Sequence, residues 1–191
     1  ISGEIVPEVD AKISIFDSAV LLGDTVTEST RTFNFKPFKL DEHLERLYKS
    51  FKLTRIDPQM TIEEMKKVSL ELLEINKDNY KANEDCWLVH NISRGHSITG
   101  GNPALQVSKP TIMIYTQPMN LVSWAPFYRK GCHAVTPPTR MVPSQSLDAR
   151  IKNRSRLFYT LAEIEAKLVD PDAQSVILDI HGNVAENKGG N

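Results

Sequence analysis

The stretch VTESTRTFNFKPFKLDEHLERLYKSFKLT, residues 26–54, changes its hydrophobic period once, and that change decides the fold class. Side chains alternate over residues 26–33, which predicts a strand, and Lys36-Pro37 predicts a turn after it. Over residues 41–54 the apolar side chains recur at steps of three and four, which predicts an amphipathic helix with Asp41 as its N-terminal cap. A strand followed directly by a helix is therefore the first unit of the chain's pattern.

The flanking segments extend this pattern into an α+β order. Residues 1–6 and 12–16 alternate and predict a hairpin-like start, and Thr61-x-x-Glu64 predicts a capping box opening a second helix that ends near Asn76. The same two periods predict, further along, three strands, one helix and a hairpin, at residues 86–93, 111–115, 132–136, 153–168 and 175–186. The order β, αα, βββ, α, ββ predicts an α+β protein rather than a doubly wound one.

Two prolines divide the chain into a pair of predicted domains. The stretch between Pro118 and Pro126 reads as a linker. We therefore predict an N-terminal α+β domain over residues 1–117, a linker over residues 118–126 and a C-terminal domain over residues 127–191.

Both ends of the sequence suggest missing segments. The sequence opens at Ile1, inside what reads as a strand and turn, and stops at Asn191 after a glycine-bearing loop where a further strand is expected. We interpret the second domain as incomplete.

Composition excludes several classes of function. The net charge is −1, with basic and acidic residues interspersed, so nucleic acid is not an expected partner. Cys86 and Cys132 form no C-x-x-C pair, which fits a reducing cytoplasm better than a disulfide framework. No apolar run approaches the about 20 residues of a membrane helix, so no membrane partner is expected. Dinucleotide, P-loop, zinc-protease and serine-hydrolase motifs are absent, and the histidines lack metal-ligand spacing.

Three charged residues stand where they could serve chemistry. Arg46 lies one turn after His43 on the predicted helix, and a guanidinium fork suits a phosphate dianion, although an arginine there usually faces water. Lys152 lies between a turn and a helix start within DARIKNRSR, residues 148–156, where desolvation would make its amine nucleophilic, although surface lysines are common. Glu186 follows a hairpin and could face a protonated ring nitrogen or simply water.

Taken in order, four stretches resemble the successive motifs of fold type IV pyridoxal-phosphate (PLP) enzymes: FDSAVLLGDTVTESTRTF, LDEHLERLYKS, DARIKNRSRL and VILDIHGNVAENKGGN. That class includes branched-chain and D-amino acid aminotransferases, (R)-selective amine transaminases and aminodeoxychorismate lyase. The resemblance covers nearly the whole chain. It implies a two-domain, D-amino acid aminotransferase-like fold whose second domain is incomplete here, a PLP cofactor, and a homodimer or higher homo-oligomer.

The resemblance also implies a role for each of four residues. Lys152 corresponds to the Schiff-base lysine, which also moves the proton at the substrate Cα. Glu186 corresponds to the acid at the pyridine nitrogen, and Arg46 to the arginine that binds the cofactor phosphate. Asn191 corresponds to a loop asparagine near the cofactor.

The subfamily pattern is mixed. The run Glu28-Ser29-Thr30-Arg31 resembles branched-chain enzymes, whereas Leu157 stands where those enzymes carry a tyrosine. Val89 replaces the arginine of an aromatic-x-arginine pair, which weakens carboxylate binding at that position. The resemblance suggests four pocket walls, each of which could equally serve packing: Thr27, Ser29, Arg31 and Trp87.

The function implied is transfer of an amino group between a hydrophobic or branched amino acid, or an (R)-amine, and a 2-oxo acid. Two alternatives stay open. One is the PLP-dependent β-elimination of an aminodeoxychorismate lyase. The other is an inactive fragment that acts as an interaction module.

Overall fold

The computed structural model describes residues 1–81, 84–97 and 108–189. The chain forms two compact units. Unit 1 comprises Ile1–Met119 together with Arg150–Ser155, and unit 2 comprises Asn120–Ala149 together with Arg156–Asn191. The short segment that carries Lys152 thus belongs to unit 1, although it follows much of unit 2 in the sequence.

Unit 1 is a four-stranded antiparallel sheet with helices against one face. Its strands are β1 (Thr25–Phe33), β2 (Lys36–Pro37), β3 (Cys86–Ser93) and β4 (Thr111–Pro118), in the order β2-β1-β3-β4. Its helices are α1 (Ser18–Leu22), α2 (Leu40–Thr54) and α3 (Ile62–Asn76), with 3-10 turns at Glu8–Asp10 and Lys77–Asn79. The strand and both long helices predicted from the opening stretch and the capping box are confirmed.

The core of unit 1 lies between the sheet and the two long helices. Leu44 and Leu47 of α2, Met65 of α3, and Leu88 and Ile92 of β3 have no exposed surface. The strand residues among them share one phase of the alternation, so that phase defines the helix-covered face. The other phase defines a second face, called here the open face.

The start of α2 differs from its prediction. The helix begins at Leu40, and Lys39 precedes it in a left-handed conformation without a side-chain cap. Asp41 is therefore not the cap but the second helical residue, where its carboxylate favours the helix dipole and pairs with Lys66 at 2.7 Å. Burial of Leu40 accounts for the earlier start, because that side chain belongs to the core.

Two predictions near the N-terminus are wrong. The turn after β1 uses Asn34 and Phe35, both with φ in the left-handed range, whereas Lys36-Pro37 forms β2. Two successive residues of positive φ are what a tight hairpin turn requires. Residues 1–16 contain a 3-10 turn and no strand, and their apolar side chains Ile5 and Ile15 are exposed. Alternation alone makes no strand without a neighbouring edge to pair with.

Unit 2 is a three-stranded sheet with one long helix. Its elements are α4 (Leu121–Trp124), α5 (Phe127–Lys130), β5 (Ala134–Val135), α6 (Leu157–Val169), β6 (Gln174–Leu178) and β7 (Val184–Asn187). Strand β6 pairs in parallel with β5 and antiparallel with β7, so the predicted hairpin is confirmed.

The helix of unit 2 begins later than predicted and buries a different stripe. It starts at Leu157 rather than at residue 153, because the preceding residues pair with β1 instead. Its buried side chains are Tyr159, Ala162 and Ala166. The larger apolar side chains whose spacing predicts the helix are exposed instead: Leu157, Leu161, Ile164 and Leu168. Small residues at the contact let a helix approach a sheet closely. Across the described part of the chain, no helix has the length and apolar character to cross a membrane.

Candidate active site

The main chain around Lys152 is held against the edge of β1 by an isolated antiparallel bridge. The Thr27 N–H donates to the Lys152 carbonyl at 2.8 Å, and the Arg154 N–H donates to the Thr25 carbonyl at 2.9 Å. Between these bonds Asn153 forms an antiparallel bridge with β1. A segment that reads as a loop in sequence is therefore anchored to the sheet, and the half-buried Lys152 side chain starts from a rigid backbone.

Helix α2 connects Lys152 to Arg46 through one serine. The hydroxyl of Ser50, which is fully buried, accepts from the Lys152 N–H at 3.3 Å and donates to the Arg46 carbonyl at 3.1 Å. In the sequence, Lys152 and Arg46 are more than 100 residues apart, and nothing in either segment predicts that they meet. The fold brings their backbones to one serine.

Arg46 is oriented by a buried carboxylate. Its Nε donates to Glu28 Oε2 at 2.7 Å and its Nη2 donates to Glu28 Oε1 at 2.7 Å. The Glu28 side chain is 0% exposed, whereas the Arg46 side chain is 51% exposed. His43 Nδ1 lies 3.0 Å from Glu28 Oε1, so His43 and Arg46, one turn apart on α2, contact the same carboxylate.

The carboxylate of Glu28 stays ionised despite its burial. Burial alone would raise its pKa, but hydrogen bonds from Arg46, His43 and the Ser29 N–H lower the pKa from 4.5 to about 2. The bidentate pair occupies two nitrogens of the Arg46 guanidinium. The third, Nη1, donates to no group in the described part of the chain. This half-exposed cationic edge matches the charge and donor geometry of a phosphate oxygen.

A neutral histidine lies beside Glu28 in the sheet. His90 is directly opposite Glu28 in the strand register and is fully buried. Ser69 Oγ donates to the Met65 carbonyl at 2.7 Å, so it accepts the 2.7 Å hydrogen bond from His90 Nε2–H. Burial lowers the pKa of His90 to about 4, although the charge of Glu28 opposes this. The neutral imidazole therefore does not pair with the Glu28 carboxylate, which Arg46 and His43 bind instead.

Glu186 belongs to unit 2, where it lies in a strand rather than in a loop. It pairs with Ile177 across β6 and β7 and is half-buried. Burial and the negative charge of the neighbouring Glu186 carboxylate raise the pKa of the Tyr159 hydroxyl, whereas the charge of Arg156 opposes this. Arg156 lies over the Tyr159 ring at 5.3 Å from its centroid. Tyr159 is thus a neighbour of the Glu186 carboxylate that the sequence did not predict.

The four predicted pocket walls share the open face of unit 1. Strand register places Thr27 opposite Asn91, Ser29 opposite Val89, and Arg31 opposite Trp87. Thr27 and Arg31 have local contacts within unit 1. The Thr27 hydroxyl donates to the His90 carbonyl at 3.0 Å, and the Arg31 guanidinium lies 3.7 Å from the centroid of the neighbouring Phe33 ring.

A second arginine lies on the open face, and sequence reasoning missed it. Arg154 Nε donates to Asn91 Oδ1 at 2.9 Å, and Arg154 Nη2 donates to the Tyr115 hydroxyl at 3.3 Å. Asn91 Nδ2 donates to the same hydroxyl at 3.0 Å. Its signal in the sequence was its place two residues after Lys152, since side chains two apart in extended backbone point to one side.

The candidate residues thus fall into two groups. Unit 1 brings together Lys152, Arg46 and the open face, whereas unit 2 carries Glu186. Asn191 lies outside the described residues. Glu28 lies in the same phase of β1 as the buried Val26, and a carboxylate in that position signals a buried acid with a partner. Within the described ranges, no group of three His, Cys, Asp or Glu side chains could hold a metal ion.

Comparison with known proteins gives a family match and several relatives. A family model described as "Amino-transferase class IV" matches residues 25–191. A candidate branched-chain-amino-acid aminotransferase of Methanocaldococcus jannaschii is 35% identical over 191 residues, covering 100% of this chain and 62% of that protein. The aminodeoxychorismate lyase of Bacillus subtilis is 30% identical over 186 residues, covering 97% of this chain and 60% of that protein.

Solved structures share the fold. A T.th. branched-chain amino acid aminotransferase complexed with N-(5'-phosphopyridoxyl)-L-glutamate superposes with a TM-score of 0.82 at 26% identity. The match covers 100% of this chain and 61% of that chain. The predicted α+β fold and the resemblance to this family are confirmed. The chain spans about three-fifths of the length of these relatives.

Proposed function

Because this chain belongs to the amino-transferase class IV family, we propose that the protein to which it belongs is a PLP-dependent transaminase. The amino group would move between a hydrophobic or branched amino acid, or an (R)-amine, and a 2-oxo acid. The observation that carries the proposal is the link from Lys152 through Ser50 to Arg46. It holds the main chain of the lysine and the main chain of the arginine at one buried serine.

The residues fit the cofactor by their chemistry. Arg46 would bind the phosphate of PLP with the guanidinium edge that Glu28 leaves open. Glu186, which lies beside the Tyr159 hydroxyl, would hold the proton of the pyridine nitrogen. Asn191 would lie near the cofactor, as its place in the motif implies. Bound PLP supplies the electron sink that makes loss of a proton from the substrate Cα possible.

Lys152 would do two jobs with one amine. It would hold the cofactor covalently, and it would then accept the proton from the substrate Cα and return one. Both functions need the main chain that carries the amine to be held in place, because misplacing a catalytic group by about 1 Å costs on the order of 100-fold in rate. The two main-chain bonds to β1 and the bond to Ser50 hold that main chain.

The open face would supply the substrate pocket. Thr27, Ser29, Arg31 and Trp87 line one side of the sheet, and Lys152 lies at its edge. The likeness to branched-chain aminotransferases favours a branched or hydrophobic substrate. The four walls offer two hydroxyls, one aromatic ring and one cation, Arg31, whose guanidinium lies against the Phe33 ring. An aromatic ring and small hydroxyl side chains suit a substrate with an apolar side chain.

A lyase is the second candidate. The 30% identity to the Bacillus subtilis aminodeoxychorismate lyase covers nearly all of this chain. A β-elimination would use the same lysine as acid and base but would leave the cofactor in its aldehyde form.

The decisive experiment is a half-reaction on the full-length protein. A transaminase converts bound pyridoxal to the pyridoxamine form when an amino donor is added without an acceptor, and the absorbance change reports it. A lyase releases product without that lasting change. Borohydride reduction followed by peptide mass spectrometry should locate the cofactor on Lys152. Colourless protein without fixed cofactor would contradict both enzymes and favour an interaction module.

We also propose a homodimer or higher homo-oligomer located in the cytoplasm. The resemblance to fold type IV enzymes supports the first part, since that class builds its active site at a dimer interface. Both cysteines are free, one buried and one exposed, which suits a reducing compartment. Light scattering coupled to size-exclusion chromatography measures the oligomer, and a monomer that turns over substrate would contradict the interface requirement.

A further inference from the structure

The two donor classes of the proposed transaminase differ by one charge. An amino acid or a 2-oxo acid carries a carboxylate that a simple amine lacks. A carboxylate needs a cation or several donors close to the amine that does the chemistry, because a charge entering a partly dry pocket is costly without a partner. The open face beside Lys152 is where such a group must lie if the proposed function holds.

Arg154 lies on that face because it belongs to the same backbone segment as Lys152. The antiparallel pairing places Lys152 opposite Thr27 and Arg154 opposite Thr25. Side chains two residues apart in a strand point to one face and start about 6.7 Å apart. The bond from Arg154 to Asn91, which is paired with Thr27 in the sheet, confirms which face this is.

Neutral partners orient Arg154 and leave its charge uncompensated. Asn91 and Tyr115 hold Nε and Nη2, and no carboxylate lies within ion-pair distance of Arg154 among the residues that the structure describes. Its Nη1 donates to no described group. The side chain is exposed. Arg154 is therefore a fixed cation with unused donors, unlike an arginine that is folded onto a neighbouring acid.

Tyr115 adds a second donor at the same place. Its hydroxyl oxygen accepts from Asn91 Nδ2 at 3.0 Å and from Arg154 Nη2 at 3.3 Å. Those two bonds occupy both lone pairs, so the hydroxyl proton is directed to a further acceptor. A carboxylate offers two oxygens, and the arginine and the tyrosine hydroxyl offer one adjacent donor each.

From this arrangement we infer that Arg154, oriented by Asn91 and Tyr115, binds the substrate carboxylate. The inference rests on the proposed function and narrows it: the donors and acceptors are amino acids and 2-oxo acids, and carboxylate-free amines are poor substrates. Arg154 is then the residue that decides substrate class, while Lys152 performs the proton transfer.

The test compares leucine with 3-methylbutylamine, which is leucine without its carboxylate, in the half-reaction of the full-length protein. Wild-type protein should react with one leucine enantiomer at a higher kcat/KM than with the amine. Arg154→Gln should lower kcat/KM for leucine about 10- to 100-fold, the range expected for a charge-assisted hydrogen-bonded pair. The same variant should change kcat/KM for the amine less than about 3-fold.

Three further variants make the result specific. Arg154→Lys keeps the charge without the fork and should recover part of the leucine activity. Tyr115→Phe removes one donor but leaves the Asn91–Arg154 bond, so it should weaken leucine alone, by about 3- to 10-fold. Arg129→Gln, on the exposed side of α5, is the matched control and should match wild type for both donors.

Several outcomes would overturn the inference. A wild-type preference for the amine, equal losses for both donors in Arg154→Gln, or no loss for leucine would each contradict carboxylate binding while leaving the transaminase intact. Wild-type protein that fixes no cofactor and converts neither donor would instead overturn the proposed function, and this inference with it.

Discussion

Two arginines of unit 1 are held in opposite ways. Arg46 donates two hydrogen bonds to the buried carboxylate of Glu28, so its charge is balanced and its plane is set. Arg154 is held by an amide and a hydroxyl, so its plane is set but its charge is not balanced. The first arrangement suits a site that keeps one cofactor, and the second suits a site that admits and releases a charged substrate. Four predictions, from the largest effect to the smallest, probe this contrast.

The roles proposed for Arg46 and Arg154 both require Lys152 to be the catalytic amine. Lys152→Ala should lower transamination about 10⁴-fold or more, because the same amine bonds the cofactor and moves the proton. Circular dichroism and the urea midpoint should stay close to wild type, since the β1 pairing uses the Lys152 main chain. Lys49→Ala, an exposed lysine of α2, is the control. Retained turnover in the Lys152 variant would contradict the catalytic role of Lys152, and with it the roles proposed for Arg46 and Arg154.

Removing Arg46 should destabilise the fold strongly. Arg46→Gln leaves the Glu28 carboxylate buried without its cation, which costs about 3 to 5 kcal/mol in free energy of unfolding. Cofactor affinity should fall as well, because the phosphate loses its fork. Urea unfolding of the apo and loaded protein measures the two effects separately.

The double variant Glu28→Gln/Arg46→Gln tests the cause. Replacing both members removes the stranded charge, so much of the lost stability should return while cofactor affinity stays low. If the double variant were as unstable as Arg46→Gln, the ion pair would not be the source of the instability.

Acid should lower the free energy of unfolding of unit 1 over two overlapping pH windows. Between pH 6.5 and about 4 the unfolded chain binds a proton at His90 that the folded protein does not, so the free energy of unfolding falls as the pH falls. Between pH 4.5 and about 2 the unfolded chain likewise protonates Glu28 while the folded carboxyl stays ionised. Each window is worth about 3 kcal/mol.

Urea midpoints measured across this pH range check the prediction. His90→Gln keeps a side chain that can donate to Ser69 and should abolish the loss above pH 5, leaving the lower window in place. A wild-type stability that is flat between pH 6.5 and 4 would mean that His90 is protonated in the fold.

Sequence periodicity predicted what short-range patterns can specify. The three- and four-residue spacing predicted helix α2, and the capping box at Thr61 predicted α3. Both patterns involve residues at most about one helical turn apart, so a single segment contains them. The hairpin-like start failed because alternation over residues 1–16 says nothing about whether an edge is available for pairing. The late start of α6 has the same origin: residues 152–154 pair with β1, which is distant in the sequence.

The candidate site rests on charged residues that the sequence singled out, but the sequence did not predict their contacts. Lys152, Arg46 and Glu186 came from motif order, and the side shared by His43 and Arg46 came from helix spacing. Their partners could not be read in the same way. Glu28 meets Arg46 from a strand, and Ser50 meets Lys152 across more than half of the chain. Such pairs depend on strand register and on helix packing, which no single segment specifies.

The smallest predicted effect is the sharpest test of the contrast. Arg154→Gln should change the free energy of unfolding by less than about 1 kcal/mol, because its hydrogen bonds are exposed and their loss strands no buried charge. Arg46→Gln, an equal change in charge and size, should cost several times more. Urea unfolding of the two variants, with Arg129→Gln as the baseline, measures the difference. Equal destabilisation by both would show that Arg154 is a structural cation after all, because a residue kept for a substrate carboxylate can be removed without disturbing the fold that presents it.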